Sequence, residues 1–381
     1  MDLVGPASGV EAVLPHALAD RLARDAEAVD VSGVARSMID DLAQAGLLGT
    51  ALPAAQQREL AESIAMADAS TWFCWVQHQT PLRTLEGEGP AVVSPASDVL
   101  REELLPGLRN GSLLAAVAFA HVRRPGTPDP IATRIDGGWS FDGHLDWVTS
   151  WDIADVVMIM AQGSGPDAGM LVCAFLPAGH SPTSTNGVEP GPVLDLLAMG
   201  GTHTRPVNLD DVRVPDDRVV LLDREAWLAY DATKTVDVNP ATFGIARGAI
   251  AELAQLAEQR SDEGMQSLAR ALAEKCILLR SAAYAAMDND DDLSERLRLR
   301  AESLALMTDA ALSVITARAG AAMQRGHSAE RRLREAMFLQ VQAQTATTRA
   351  ASLNLLRARN TEGGESQERA FTFRGADSRV P

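Results

Sequence analysis

Between about residue 10 and residue 110 the apolar positions recur three to four apart, the period of helices that bury one face. Val34, Met38 and Leu42 form one such stripe; Ser32 stands where a helix N-cap belongs, and Gly46, Gly49 and Pro53 end the segment. A second helix is expected over residues 54–79, and "EGEGPAVVSP" reads as a loop before a further short helix. From about residue 113 to residue 222 the pattern changes to β-branched and alternating runs. "LLAAVAFAHV", "GGWSFDGHLDWV", "ADVVMIMAQ", "GMLVCAFLP" and "RPVNLDDVRVP" each read as strands bounded by turn residues. No long helix separates them, so an antiparallel sheet or barrel is expected. From about residue 226 to residue 357 the helical period returns in longer runs. Leu268, Leu272, Cys276 and Leu279 form one stripe, and Leu304, Met307, Ala311 and Val314 another.

This order predicts an α+β chain: an N-terminal helical domain over 1–112, a middle antiparallel β domain over 113–225 and a long-helix bundle over 226–360. Residues 361–381 turn to Gly, Glu, Ser and Arg and read as a mobile tail. Between the two long stripes "MDNDDDL" resembles the start of a calcium loop, but Leu293 occupies the place of the tight-turn Gly and no Glu closes the loop. A solvated turn between helices is expected there, and no metal.

Composition narrows the partners. At 381 residues and 46% hydrophobic, the chain can bury a large core, and its net charge of −17 argues against nucleic acid or an anionic membrane. Cys74, Cys173 and Cys276 are scattered without CxxC spacing, so buried thiols in a reducing compartment are expected. The N-terminus lacks a basic region followed by an apolar stretch, and no apolar run approaches the roughly 20 residues of a membrane span. A soluble cytoplasmic protein is the plain expectation.

The arrangement resembles the acyl-CoA dehydrogenase superfamily from about residue 15 to residue 350. "MIDDLAQAGLLGTALP" is similar to that family's N-terminal helix with its Ala-Gly-Leu turn. "WSFDGHLDWVTSWDIADVVMIMA" is similar to its middle-domain signature, and "MGGTHTRPVNLDDVRVPDDRVV" to the strand that leaves the β domain. The resemblance implies a flavin, FAD more than FMN, with its ring between the β domain and the C-terminal helices of a homodimer or homotetramer. It places Trp147 against the ring face and Thr149 at the polar edge, within the turn Val148-Thr149-Ser150, and gives Thr202 or Thr204 to the flavin phosphate. The chemistry agrees, since a flat apolar ring wants an aromatic wall and its edge a hydroxyl or backbone donor.

The departures bear on the reaction. Removing an α-proton from a thioester needs a carboxylate base, and the family's position for it falls on Ala343, after Arg334 and Glu335 in place of the Arg-Asp pair and before Thr345. The alternative position, on the first long C-terminal helix, shows Ala241 and Thr242, and Glu362 lies too late in the chain. Of the contacts to the far half of FAD, Arg260 and Gly320 remain. Val122, Arg123 and Arg124 replace the usual Thr-Glu-Pro, and the two arginines read either as an anion site or as a solvated strand edge. A missing base fits the two-component flavin monooxygenases of the same superfamily, which take reduced flavin from a reductase and oxidise a small substrate with dioxygen. His78, read as ending an aromatic-rich helix, is the candidate to hydrogen-bond substrate or oxygen; His121 and His203 are weaker candidates. Two other readings stay open: an acyl-CoA dehydrogenase with a relocated base and an electron-transfer partner, and a non-catalytic subunit of a hetero-oligomer.

Overall fold

The computed structural model describes Gly5 and residues 10–49, 52–290 and 292–361; the expected tail falls outside the described residues from 362 onward. The N-terminal part carries helices α1 (His16–Ser32), α2 (Arg36–Gln44), α3 (Ala54–Ala67) and α4 (Ala69–Glu86) and, after one short strand, α5 (Asp98–Asn110). Two details differ from the sequence reading. Ser32 ends α1 instead of capping the next helix, its hydroxyl donating back to Ala28 O, and Ala35 occupies the N-cap of α2. The expected helix over 54–79 is broken at Asp68, whose extended backbone ends α3 and whose carboxylate accepts from Ser70 N and Thr71 N to start α4.

The strands are β1 (Val92–Ser94), β2 (Ala115–Ala118), β3 (Ile131–Ile135), β4 (Gly138–Val148), β5 (Val156–Gly163), β6 (Met170–Pro177), β7 (Val188–Pro190), β8 (Arg205–Pro215) and β9 (Val219–Asp223). They form one mixed sheet in the order β1-β9-β6-β5-β3-β4-β8-β7, with β2 also pairing β5. The antiparallel expectation needs correcting, because β2 and β3 both run parallel to β5. A parallel pair needs a crossover, and here the β3–β4 hairpin supplies it where a helix usually would. The loop expected at "EGEGPAVVSP" contains β1, which pairs with β9 at the sheet edge. The first expected strand stops at Ala118 and passes into a 3-10 turn at Ala120–Arg123.

The apolar run of β5 now has a cause. Val157, Ile159 and Ala161 face one hydrophobic cluster shared with the helices, while Val156, Met158 and Met160 face a second under α5. A strand covered on both faces has no polar alternation.

Helices α6 (Arg224–Lys234), α7 (Pro240–Arg260), α8 (Glu263–Asp288), α9 (Leu293–Arg318), α10 (Ser328–Val341) and α11 (Ala346–Thr361) complete the chain. The first cluster runs without a break through residues of all three expected domains, with α7 at its centre. In the acidic turn Asp288 pairs with Arg58, Asp290 with Arg296, and Asp292 caps α9 through Ser294 N. Among the described residues no cluster of metal-binding side chains occurs. One stretch, Leu293–Met323, is long and apolar enough by length and composition to cross a membrane, a test that core helices of soluble proteins also pass, and Leu299, Leu304, Leu306, Met307 and Val314 of α9 lie in the first cluster.

Asp68 sets a pH dependence. Burial, with Glu335 adding to it, pushes its carboxyl up from 3.8 to about 6, against the helix N–H groups and Arg331. A raised folded value stabilises the protein at low pH, and that contribution is lost as pH rises from about 4 through about 6. Asp68→Asn keeps a capping oxygen and removes the titration, so its melting temperature should gain on the wild type across that window. Parallel melting curves at every pH would show that Asp68 carries no such cost.

Candidate functional site

A cavity of about 600 Å³ opens between the sheet and the C-terminal helices. Phe73 and Gln77 reach it from α4, four apart on one helix face, and Val117, Phe119 and Arg123 from β2 and the turn after it. Trp147 and Thr149 come from the end of β4, residues 196–199 with Thr202 and Thr204 from the loop between β7 and β8, and Met337, Phe338, Val341, Gln342 and Ala343 from the end of α10 and the residues after it. The wall is mostly apolar. Among the described residues Arg123 is its only charged side chain, and no carboxylate lines it. Of the other hollows, one of about 170 Å³ lies beside His121 and Arg124, and one of about 530 Å³ between α1, α3 and α7 is walled by ion pairs such as Arg247–Glu59.

The turn after β4 is built by its backbone. Gly143 sits at φ +131°, where a Cβ would fall 2.0 Å from Asp129 Oδ1, so β4 can bend here only with glycine. At its far end Ser150 adopts φ +67° and donates its N–H to Thr202 O at 2.8 Å, tying the two threonine segments together. Thr149, Thr202 and Thr204 then form a hydroxyl chain whose proton order follows from counting donors. Thr202 donates to Met199 O at 2.7 Å, so its oxygen accepts from Thr204 at 2.8 Å. With the Thr204 proton so used, the 3.2 Å contact to Thr149 runs from Thr149 to Thr204, which leaves a Thr149 lone pair for a ligand donor.

Trp147 is 48% exposed and offers its ring to the cavity, whereas Trp151 is buried. Val148 and Ser150 are buried and do not line it. Ala343 lies on the wall at φ +50°, at the break between α10 and α11. Thr345 does not reach the cavity: its hydroxyl accepts from Thr348 N at 3.2 Å in the first turn of α11.

The other expected residues lie elsewhere. His78 is fully buried inside α4, not at its end; Nδ1 accepts from Ala115 N and Nε2 donates to Leu108 O, both at 3.0 Å. Burial lowers its pKa to about 4. A neutral ring with both nitrogens bonded to backbone cannot serve a substrate, so the catalytic expectation for His78 is corrected: it fastens α4 and α5 to β2. His121 bonds Met160 O on the far side of the turn, and His203 bonds Val34 O. Arg260 caps α9 through Ala317 O, and Gly320 faces open space. Arg334 and Glu335, which stand in place of the family's Arg-Asp pair, lie on α10. Glu335 pairs with Arg331, and Arg334 with Asp30 and Glu330.

No family model matches the chain, and no curated protein matches its sequence. Among solved structures the fold is similar to butyryl-CoA dehydrogenase from Megasphaera elsdenii, with TM-score 0.72 and 15% identity over 90% of this chain and 95% of that one. It is similar to a glutaryl-CoA dehydrogenase from Mycobacterium smegmatis solved with FADH2, with TM-score 0.68 and 15% identity over 90% and 95%. It is also similar to KijD3, solved with FMN and dTDP-3-amino-2,3,6-trideoxy-4-keto-3-methyl-D-glucose, with TM-score 0.68 and 19% identity over 95% and 96%. The chain therefore has the acyl-CoA dehydrogenase fold.

Proposed function

We propose that the cavity holds a flavin and that the chain is a flavin-dependent oxidoreductase that oxidises a small organic substrate with reduced flavin and dioxygen. The observation that carries the reaction type is the wall itself: among the described residues it has no carboxylate, and Ala343 presents a methyl group where a base would be needed. Asp231, which does not line the cavity, has both oxygens held by Arg123 at 2.7 Å.

The residues present fit the cofactor. A concave, mainly apolar space with a few convergent polar groups suits a flat heteroaromatic ring, and Trp147 supplies an aromatic face. Thr149, whose proton points to Thr204, is arranged to accept from a ring N–H, which a reduced flavin carries. A bound reduced flavin supplies the two electrons with which dioxygen is split between product and water. The chain's own part is to hold the ring, orient the substrate from Gln77 and Gln342, and keep water out with Phe73, Phe119 and Phe338. On this reading a partner reductase delivers the reduced flavin. A homo-oligomer is part of the reading, because Ile277 and Leu278 on α8 and Leu353 and Leu356 on α11 are exposed apolar side chains.

The test is spectroscopic. The protein should bind reduced FMN or FAD, consume oxygen and form oxygenated product only when a reductase and free flavin are supplied, and show no bleaching of oxidised flavin when acyl-CoAs are added without air. Anaerobic bleaching by an acyl-CoA would establish dehydrogenation and overturn the monooxygenase reading.

A further inference from the structure

We infer that the cavity selects a largely apolar substrate bearing an oxyanionic group, a carboxylate or phosphate, received by Arg123 and Gln342. The inference names the substrate class of the proposed monooxygenase site and rests on that reading. Its first support is the guanidinium of Arg123. Nε and Nη2 each donate to Asp231 at 2.7 Å, which uses one edge of the planar fork. The edge formed by Nη1 and the second Nη2 proton carries no hydrogen bond, and the residue lines a cavity with no acid of its own.

The second support is the orientation of Gln342, which its neighbours fix. Asn239 caps α7 by accepting from Ala241 N at 3.0 Å, so its Oδ1 is assigned and its Nδ2 donates to Gln342 Oε1 at 3.2 Å. The backbone carbonyl of Gln342 is held by Arg300 Nη2 at 3.1 Å. The carboxamide nitrogen of Gln342 is thus the group left over, and it has donors only. Two donor groups without acceptors on one apolar wall are complementary to an oxyanion.

The electrostatics point the same way. Arg300 stands behind Gln342 with two backbone carbonyls as its hydrogen-bond partners and a buried Nε that has none. Burial lowers it to about 10, and although Asp237 opposes this, the charge of Arg123 adds to it. Two guanidinium groups, Arg123 and Arg300, thus stand at this end of the cavity, with Asp231 and Asp237 as their counter-charges outside its wall.

The experiment compares 3-phenylpropionate with 3-phenylpropionamide by calorimetry, on the protein alone and with FMN bound. The wild type should bind the carboxylate roughly 10- to 100-fold more tightly than the amide, as expected for hydrogen bonds to a charged group. In Arg123→Gln with Asp231→Asn, which leaves no acid unpaired, the ratio should fall to near unity while amide binding is kept. Arg123→Lys should lose most of the ratio too, because an ammonium lacks the planar edge. Equal binding of the two probes by the wild type would overturn the inference, as would a ratio that survives the double substitution. If the substitutions instead abolish a preference for FMN over riboflavin and leave the probes unaffected, Arg123 serves the flavin phosphate and the substrate assignment falls. Failure of any flavin to bind, with the probe ratio intact, would count against the proposed function alone.

Discussion

Glu62→Ala is expected to cost about 3–5 kcal/mol of folding stability, the range for breaking a buried ion network from one side. Glu62 on α3 is fully buried and accepts from Arg247 at 2.7 Å, Arg280 at 3.0 Å and Tyr284 at 2.6 Å. Burial pushes its carboxyl above the ordinary range even with two guanidinium groups beside it, so the network stands close to balance. Removing the carboxylate leaves Arg280 holding Gly5 O and leaves Arg247 holding Glu59 without its shorter bond to Glu62. The helices cannot move together to fill the gap. Gly244 of α7 already packs so closely that a Cβ there would fall 2.3 Å from Glu62 O. Urea titration of the wild type and of Glu62→Ala measures the loss directly, and Glu62→Gln, which keeps the shape, should lose less. A loss under about 1 kcal/mol would mean that the network is wet and the arginines find solvent.

That network was invisible in the sequence, and the reason generalises to the site. Periodicity reports which side of an element is buried, so β4, β5, β6 and β8 and the long stripes on α8 and α9 could be read from their apolar positions. It does not report partners that meet from distant segments. Glu62, Arg247 and Arg280 look like ordinary charged helix residues until α3 and α7 are packed. His78 failed for the converse reason: among Trp72, Phe73 and Trp75 it looks poised for chemistry, but its neighbours Leu108 and Ala115 arrive from α5 and β2 and take both nitrogens. Gln77, one residue earlier, shares a helix face with Phe73 and lines the cavity instead. A one-residue step turns a helix by roughly 100°, and that was the difference between the wall and the core. Resemblance to a family supplied what periodicity could not. It drew attention to Trp147, Thr149, Thr204 and Ala343, which lie far apart in sequence and share the wall of one cavity. Thr345 and Arg260 came from the same comparison and lie at helix ends, because a motif fixes the neighbourhood of a residue more firmly than the direction of its side chain.

On the flavin reading, Trp147→Ala should weaken flavin binding roughly 30- to 100-fold. The estimate follows from covering roughly 100 Å² of apolar ring at about 25 cal/mol per Å², or about 2.5 kcal/mol. The substitution is a clean probe because Trp147 is 48% exposed and faces the cavity, so little of the folded core depends on its ring. Val148 and Leu145, which hold β4 against β8, are buried and untouched. Stability should therefore change little while affinity for both FMN and riboflavin falls together, since a stacking wall acts on the ring and not on the phosphate. Trp147→Phe should recover most of the binding, because a smaller aromatic still presents a flat face. Fluorescence quenching of reduced and oxidised flavin, measured beside thermal unfolding, separates these effects. If Trp147→Ala unfolds the protein at the same temperature and binds flavin as tightly as the wild type, the ring lies elsewhere, and the wall of Trp147 would belong to the substrate.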